Sequence, residues 1–137
     1  MSIAYRNTLP TKDAFYALYQ TTNWNRFNAD ELHLALQNSW YMVSVFDDEQ
    51  HRLIGFGRII SDGIYQTFIG DVIVLPEYQG RGIGKGIMTR LIEYCREQNI
   101  RWVQLTCAQG KRAFYEKLGF CARPEDAPGM QLSIALS

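Results

Sequence analysis

At 137 residues and 15.8 kDa the chain has the length of a single domain, taken here as residues 1–137. With 47% hydrophobic and 13% aromatic residues it can bury roughly two-thirds of its unfolded surface. Such a composition excludes a disordered chain and removes any need for disulfides or a structural metal. Lys plus Arg and Asp plus Glu both count 14, so the formal net charge is zero. That balance removes the electrostatic basis for general binding to nucleic acid or to a membrane surface.

In chain order, Ile3–Arg6 reads as a short strand and residues 11–20 as a helix with Phe15, Leu18 and Tyr19 on one face. Asn28, with Glu31 three residues later, has the form of a reciprocal helix cap before a second helix over Ala29–Gln37. The period then changes. Tyr41–Phe46 and Leu53–Ile60 are extended runs around the polar turn Asp47-Asp48-Glu49-Gln50, and together they predict a hairpin. Asp62-Gly63 marks the next turn, and Thr67–Leu75 is apolar on both faces, which predicts a central strand. Pro76 ends it.

After a Gly-rich turn, Ile83, Ile87, Met88, Leu91, Ile92 and Cys95 form the apolar stripe of a longer helix. Arg101–Thr106 predicts a further strand, Lys111–Leu118 a short helix closed by Gly119, and Met130–Leu136 a last strand. The predicted order is β-α-α-β-β-β-α-β-α-β. The fold class is α/β (α+β): a mixed, mostly antiparallel sheet with helices on both faces.

Cys95, Cys107 and Cys121 are odd in number and form no CxxC pair, so neither a disulfide framework nor a zinc knuckle is expected. Only His33 and His51 are present, and no metal site is expected. The first 13 residues lack a signal-peptide core, and no apolar run reaches the ~20 residues of a membrane span. The expected setting is the reducing cytoplasm.

The most informative segment joins the apolar strand to the long helix. Gly80, Gly82, Gly84 and Gly86 alternate with Arg81, Ile83 and Lys85. Glycine permits φ > 0 and leaves no Cβ between the backbone amides and a ligand. The open N–H groups of a first helical turn attract a phosphate or pyrophosphate, and Arg81 and Lys85 add full charges. The dinucleotide pattern GxGxxG fails because Ile87 stands where its last glycine would be. The P-loop pattern fails because Gln79 replaces its first glycine and Gly86 its Ser or Thr.

Gln79-x-x-Gly82-x-Gly84, following Asp71-Val72-Ile73-Val74-Leu75-Pro76-Glu77-Tyr78, resembles the pyrophosphate loop of the GNAT superfamily of acetyl-coenzyme A-dependent N-acetyltransferases. Ala113-Phe114-Tyr115-Glu116-Lys117-Leu118-Gly119-Phe120 resembles that family's second signature. The resemblance implies acetyl-CoA as cosubstrate, with the backbone of Ile73 and Val74 pairing with its pantetheine arm. Gln79, Gly80, Arg81, Gly82, Ile83, Gly84 and Lys85 would hold the pyrophosphate. It implies Tyr115 as the acid that protonates the leaving thiolate, and a strand N–H, that of Val74, as oxyanion donor.

Asp71 is the candidate base or amine anchor, with a structural, hydrogen-bonded aspartate as the other reading. Where many members carry an Asn, two residues and an Ala, this chain has Ala108 and Lys111. Lys111 then becomes a candidate for a coenzyme A phosphate, with a solvated lysine as the alternative. Trp24, Phe27 and Tyr65 are candidate walls of an acceptor pocket, or ordinary packing residues. The implied partners are acetyl-CoA and a small-molecule amine, with a homodimer formed through the late strands. A non-catalytic acyl-CoA sensor and a protein or peptide N-acetyltransferase are the alternatives.

Overall fold

The computed structural model describes residues 1–24 and 26–135. The chain falls into two compact units, Met1–Leu105 and Thr106–Ser137. In the first, strand β1 (Ile3–Arg6) leads to helices α1 (Lys12–Tyr19) and α2 (Ala29–Gln37). Strands β2 (Tyr41–Asp47), β3 (Arg52–Ser61) and β4 (Thr67–Val74) follow, then a 3₁₀ turn (Pro76–Tyr78) and helix α3 (Ile83–Glu97). The second unit holds α4 (Arg112–Lys117).

Both early helices begin on side-chain caps. Thr11 Oγ1 accepts the Ala14 N–H. Asn28 Oδ1 accepts the Glu31 N–H at 2.9 Å while Glu31 Oε1 accepts the Asn28 N–H at 3.0 Å, the reciprocal pair expected from the sequence. A cap of this kind contributes about 1 kcal/mol.

Among the described residues the sheet has the order β1-β2-β3-β4, every pair antiparallel. The centre is β3, which is buried almost continuously from Leu53 to Gly57. Successive side chains alternate between faces, so Phe56 and its flanking glycines divide the core. On one face the Phe56 ring meets Phe15 of α1 edge-on, with centroids 5.0 Å apart. On the other, Gly55 and Gly57 leave room for Ile87 and Leu91 of α3. Helices therefore cover both faces, as the predicted element order implies.

Three sequence expectations need correction. Thr67–Leu75 is not central: β4 is outermost in the sheet order, and Phe68 is 44% exposed. Apolar residues on both faces mark burial, and β3 is the strand that satisfies that condition. Arg101–Thr106 does not form a strand but a single parallel bridge, Gln104 to Phe68. There Ile69 N–H donates to Gln104 O and Gln104 N–H to Thr67 O, both at 2.9 Å.

The bridge stops short of a bulge in β4. Phe56 pairs with Ile73 and Arg58 with Gly70, so Asp71 and Val72 together oppose Gly57. A bulge bends its strand and raises the local twist, which carries β4 out of register with a following ladder. Finally, Met130–Ala135 is not a strand, and Leu136 lies outside the described residues. Met130, Leu132 and Ile134 alternate correctly, but alternation supplies two faces and not a hydrogen-bonded neighbour.

A Cβ added at Gly57 would stand 2.7 Å from Ile87 Cγ2 and 3.1 Å from Leu91 Cδ1, both on fully buried side chains. Gly57→Val should therefore cost about 1–3 kcal/mol of stability, as overpacking generally does. Urea denaturation checks this through a lower midpoint at unchanged slope.

Candidate functional site

The strand-to-helix connection is built in three steps. Leu75 N–H closes the β3–β4 ladder on Ile54 O at 2.9 Å. Pro76 starts a 3₁₀ turn, in which Tyr78 N–H donates to Leu75 O and Gln79 N–H to Pro76 O. Gly80 and Gly82 then take φ of +78° and +82°, and Gly82 is the N-terminal residue before α3. A Cβ at either glycine would meet nothing within 4 Å. Glycine is needed there for the left-handed backbone, not for want of room, and the space in front of the loop is open.

No side chain caps α3. The first backbone bond into the helix is Gly86 N–H to Gly82 O, so Ile83, Gly84 and Lys85 present N–H groups that the helix itself cannot satisfy. These amides lie at the positive end of a 15-residue helix. Arg81 and Lys85 are exposed beside them, whereas the Ile83 side chain is buried, so Ile83 contributes backbone only. An anion fits this arrangement.

The end of β4 carries a second open feature. Because Leu75 N–H faces β3, alternation turns the N–H and C=O of Val74 to the outer edge and those of Ile73 inward. The Val74 carbonyl accepts Gln79 Nε2 at 2.9 Å. Its N–H is the outward-pointing donor at this edge, while the Ile73 side chain is buried in the core.

Asp71 occupies the bulge with φ of +54°, a conformation that Asp tolerates better than most residues. Its Oδ2 accepts Arg58 Nε at 2.6 Å. Arg58 Nη1 also donates to Ala35 O and Ser39 Oγ at the end of α2. Asp71 is thus tied, through one guanidinium, to the C-terminal turn of α2. Nothing in the sequence pattern marks Arg58 as its partner, since the pairing depends on register across a bulge.

Of the candidate acceptor residues, Trp24 and Phe27 stand exposed between α1 and α2. Tyr65 is on the β3–β4 turn, its ring 5.7 Å from that of Trp102 and its N–H on Asp62 Oδ1. Nothing in the sequence pattern marks Trp102 as the partner of Tyr65, since their contact joins residues far apart in the chain.

In the second unit, Tyr115 is half-buried on α4, with its ring against Phe114 and Phe120. Burial pushes its phenol above the usual value, and the Cys107 thiol adds to the shift. Lys111 is exposed at the start of the same helix, and Gly119 at φ of +101° follows its end.

The family model described as the acetyltransferase (GNAT) family matches residues 9–120, a span that runs through both units. The chain belongs to the GNAT acetyltransferase family. It is 33% identical over 115 residues to an uncharacterized N-acetyltransferase, ycf52, of Porphyra purpurea, covering 82% of this chain and 66% of that protein. It is 36% identical over 123 residues to the histone acetyltransferase TAP1 of Glycine max, covering 83% of this chain and 53% of that one. The chain therefore spans between half and two-thirds of the length of these curated relatives.

Among solved structures, a probable acetyltransferase of unknown function, SA2161 of methicillin-resistant Staphylococcus aureus, superposes with a TM-score of 0.87. It is 28% identical, with 96% of this chain and 99% of that one covered. Within this GNAT chain the loop amides follow the end of β4 at Val74, and Asp71 lies at the bulge inside that strand, all in the first unit. Tyr115 and Lys111 belong to the second.

The Arg58–Asp71 pair should behave as one unit. A double-mutant cycle with Arg58→Met and Asp71→Asn is expected to give a coupling of about 1–3 kcal/mol in denaturation. A value near zero would mean that the carboxylate is free of its partner.

Proposed function

We propose that this chain transfers an acetyl group from acetyl-CoA to a primary amine of a small molecule, by direct attack in a ternary complex. The observation that carries the proposal is the uncapped start of α3, entered through two left-handed glycines with open space before them. The amides of Ile83, Gly84 and Lys85, with Gln79, Gly80, Arg81 and Gly82 completing the loop, are suited to a pyrophosphate. The outward N–H at Val74 supports its assignment as oxyanion donor.

In the reaction a neutral amine attacks the thioester carbonyl, the C–N bond forms and the C–S bond breaks. The amine must shed a proton and the thiolate must gain one. Tyr115 is assigned the second transfer, because its raised pKa keeps the phenol protonated at neutral pH. Asp71 is assigned to anchor the amine or to draw its proton through water, and its pair with Arg58 supports the other reading, a hydrogen-bonded structural aspartate. Lys111 is assigned to a coenzyme A phosphate. Trp24, Phe27 and Tyr65 are assigned to the acceptor pocket, where exposed aromatic faces can hold an ammonium group.

The name of the Glycine max relative, a histone acetyltransferase, supports a protein amine as the second reading of the acceptor. All three cysteines are free, in keeping with a reducing compartment such as the cytoplasm. Among the described residues no helix is long and apolar enough to cross a membrane. Pairing of two copies belongs to the same proposal, and the mass in solution tests it.

Acetyl-CoA at 100-fold above its Kd should stabilise the protein by about 2.7 kcal/mol, seen as a thermal shift. Thiol release should then depend on an added amine, in a panel that includes small amines and histone-tail peptides. A shift without release would favour the acyl-CoA sensor, and no shift would remove the loop assignment. Tyr115→Phe should lower kcat by roughly 10²-fold while acetyl-CoA still binds.

The pH dependence follows from the raised phenol pKa. A general acid works while protonated, so its activity holds below the folded pKa and is lost as pH rises through it. The alkaline limb of the wild-type rate profile should therefore lie above the phenol's ordinary 10.0 and vanish in Tyr115→Phe.

A further inference from the structure

From Gly80 to Gly82 the loop has little internal means of holding its shape. Two of its residues are glycines in left-handed conformation, and the helix that follows has no side-chain cap. Glycine carries the largest backbone entropy to be lost on ordering. Order must therefore come from the flanks, and the upstream flank is tethered more firmly than a turn requires.

Tyr78 lies one residue before Gln79 and is 9% exposed. Its hydroxyl donates to Asp47 Oδ2 at 2.5 Å. Asp47, at the end of β2, is 2% exposed, and its Oδ1 accepts the N–H groups of Ser2 at 3.0 Å and Glu49 at 3.2 Å. The acceptor is therefore itself fixed. One residue back, Glu77 pairs with Arg52 at the start of β3, at 2.9 Å. Both tethers end on the same β2–β3 hairpin turn. The Arg52–Glu77 pair is exposed and contributes little, whereas the Tyr78–Asp47 bond is shielded and accepted by a charged group.

We propose that Tyr78 is a positioning residue whose hydroxyl, bonded to buried Asp47, holds the Gly80–Lys85 amides in the arrangement that receives the pyrophosphate. The inference rests on the loop being the coenzyme A site. A ligand that binds only the ordered loop loses apparent affinity in proportion to the fraction of molecules in which the loop is ordered. The hydroxyl would raise that fraction without touching the ligand.

The test uses the full chain and two thioesters, acetyl-CoA and S-acetylpantetheine, the second lacking the pyrophosphate. Tyr78→Phe should raise KM for acetyl-CoA by about five- to tenfold, with kcat and KM for S-acetylpantetheine within twofold of wild type. Asp47→Ser, too short to reach the phenol, should reproduce the effect if the first variant folds poorly. Asp47→Asn should largely restore affinity, because its amide can donate to the phenol while its oxygen keeps the two backbone bonds.

A lower melting temperature with unchanged KM for acetyl-CoA would make the bond merely structural and overturn the inference, as would an equal rise for both thioesters. Failure of the wild type to bind acetyl-CoA in a titration would instead remove the loop assignment on which the inference stands.

Discussion

Helix α3 can approach the sheet only because β3 offers it glycine at two alternate positions, Gly55 and Gly57, where Ile87 and Leu91 settle. That approach sets the height of the helix above the strands and the level at which its first turn begins. The loop from Leu75 to Gly82 has to join the end of β4 to that point, and it does so with a 3₁₀ turn and two left-handed glycines. A bulkier face on β3 would lift the helix and carry its N-terminal amides away from the end of the strand. The packing of the core and the geometry of the uncapped α3 N-terminus are one constraint met twice.

A second determinant is the bulge at Asp71 and Val72. It follows the one parallel bridge, at Phe68, that β4 makes to Gln104. Beyond the bulge, among the described residues, no strand pairs with the outer backbone of β4, which is where Val74 turns its N–H outward. The same local kink brings Asp71 to Arg58, whose guanidinium reaches the last turn of α2. An irregularity of one residue thus joins a strand to a helix end.

Much of this was legible in the residues. The cap at Asn28, the β2–β3 hairpin and the apolar stripe of α3 each follow from short-range patterns, and each is present. The loop was legible too, because glycine spacing reports directly on backbone conformation. What escaped was whatever depends on a partner far away in sequence. The apolar run of β4 could not say which strand would be central, and Met130 to Ile134 alternate without a ladder. The bonds of Arg58 to Asp71 and Tyr78 to Asp47 span 13 and 31 residues, and only the folded register reveals them. Gln79 is the intermediate case: its place in the motif was plain, but the target of its amide was not.

That amide has a consequence outside chemistry. A strand edge with unpaired backbone groups is a template on which strands of other molecules can add, the usual beginning of aggregation. At the end of β4 the outward carbonyl of Val74 is already occupied by Gln79 Nε2, a donor tethered five residues along the same chain. An incoming strand would have to compete with it for that carbonyl. A side chain that belongs to the loop thereby also covers part of the strand edge.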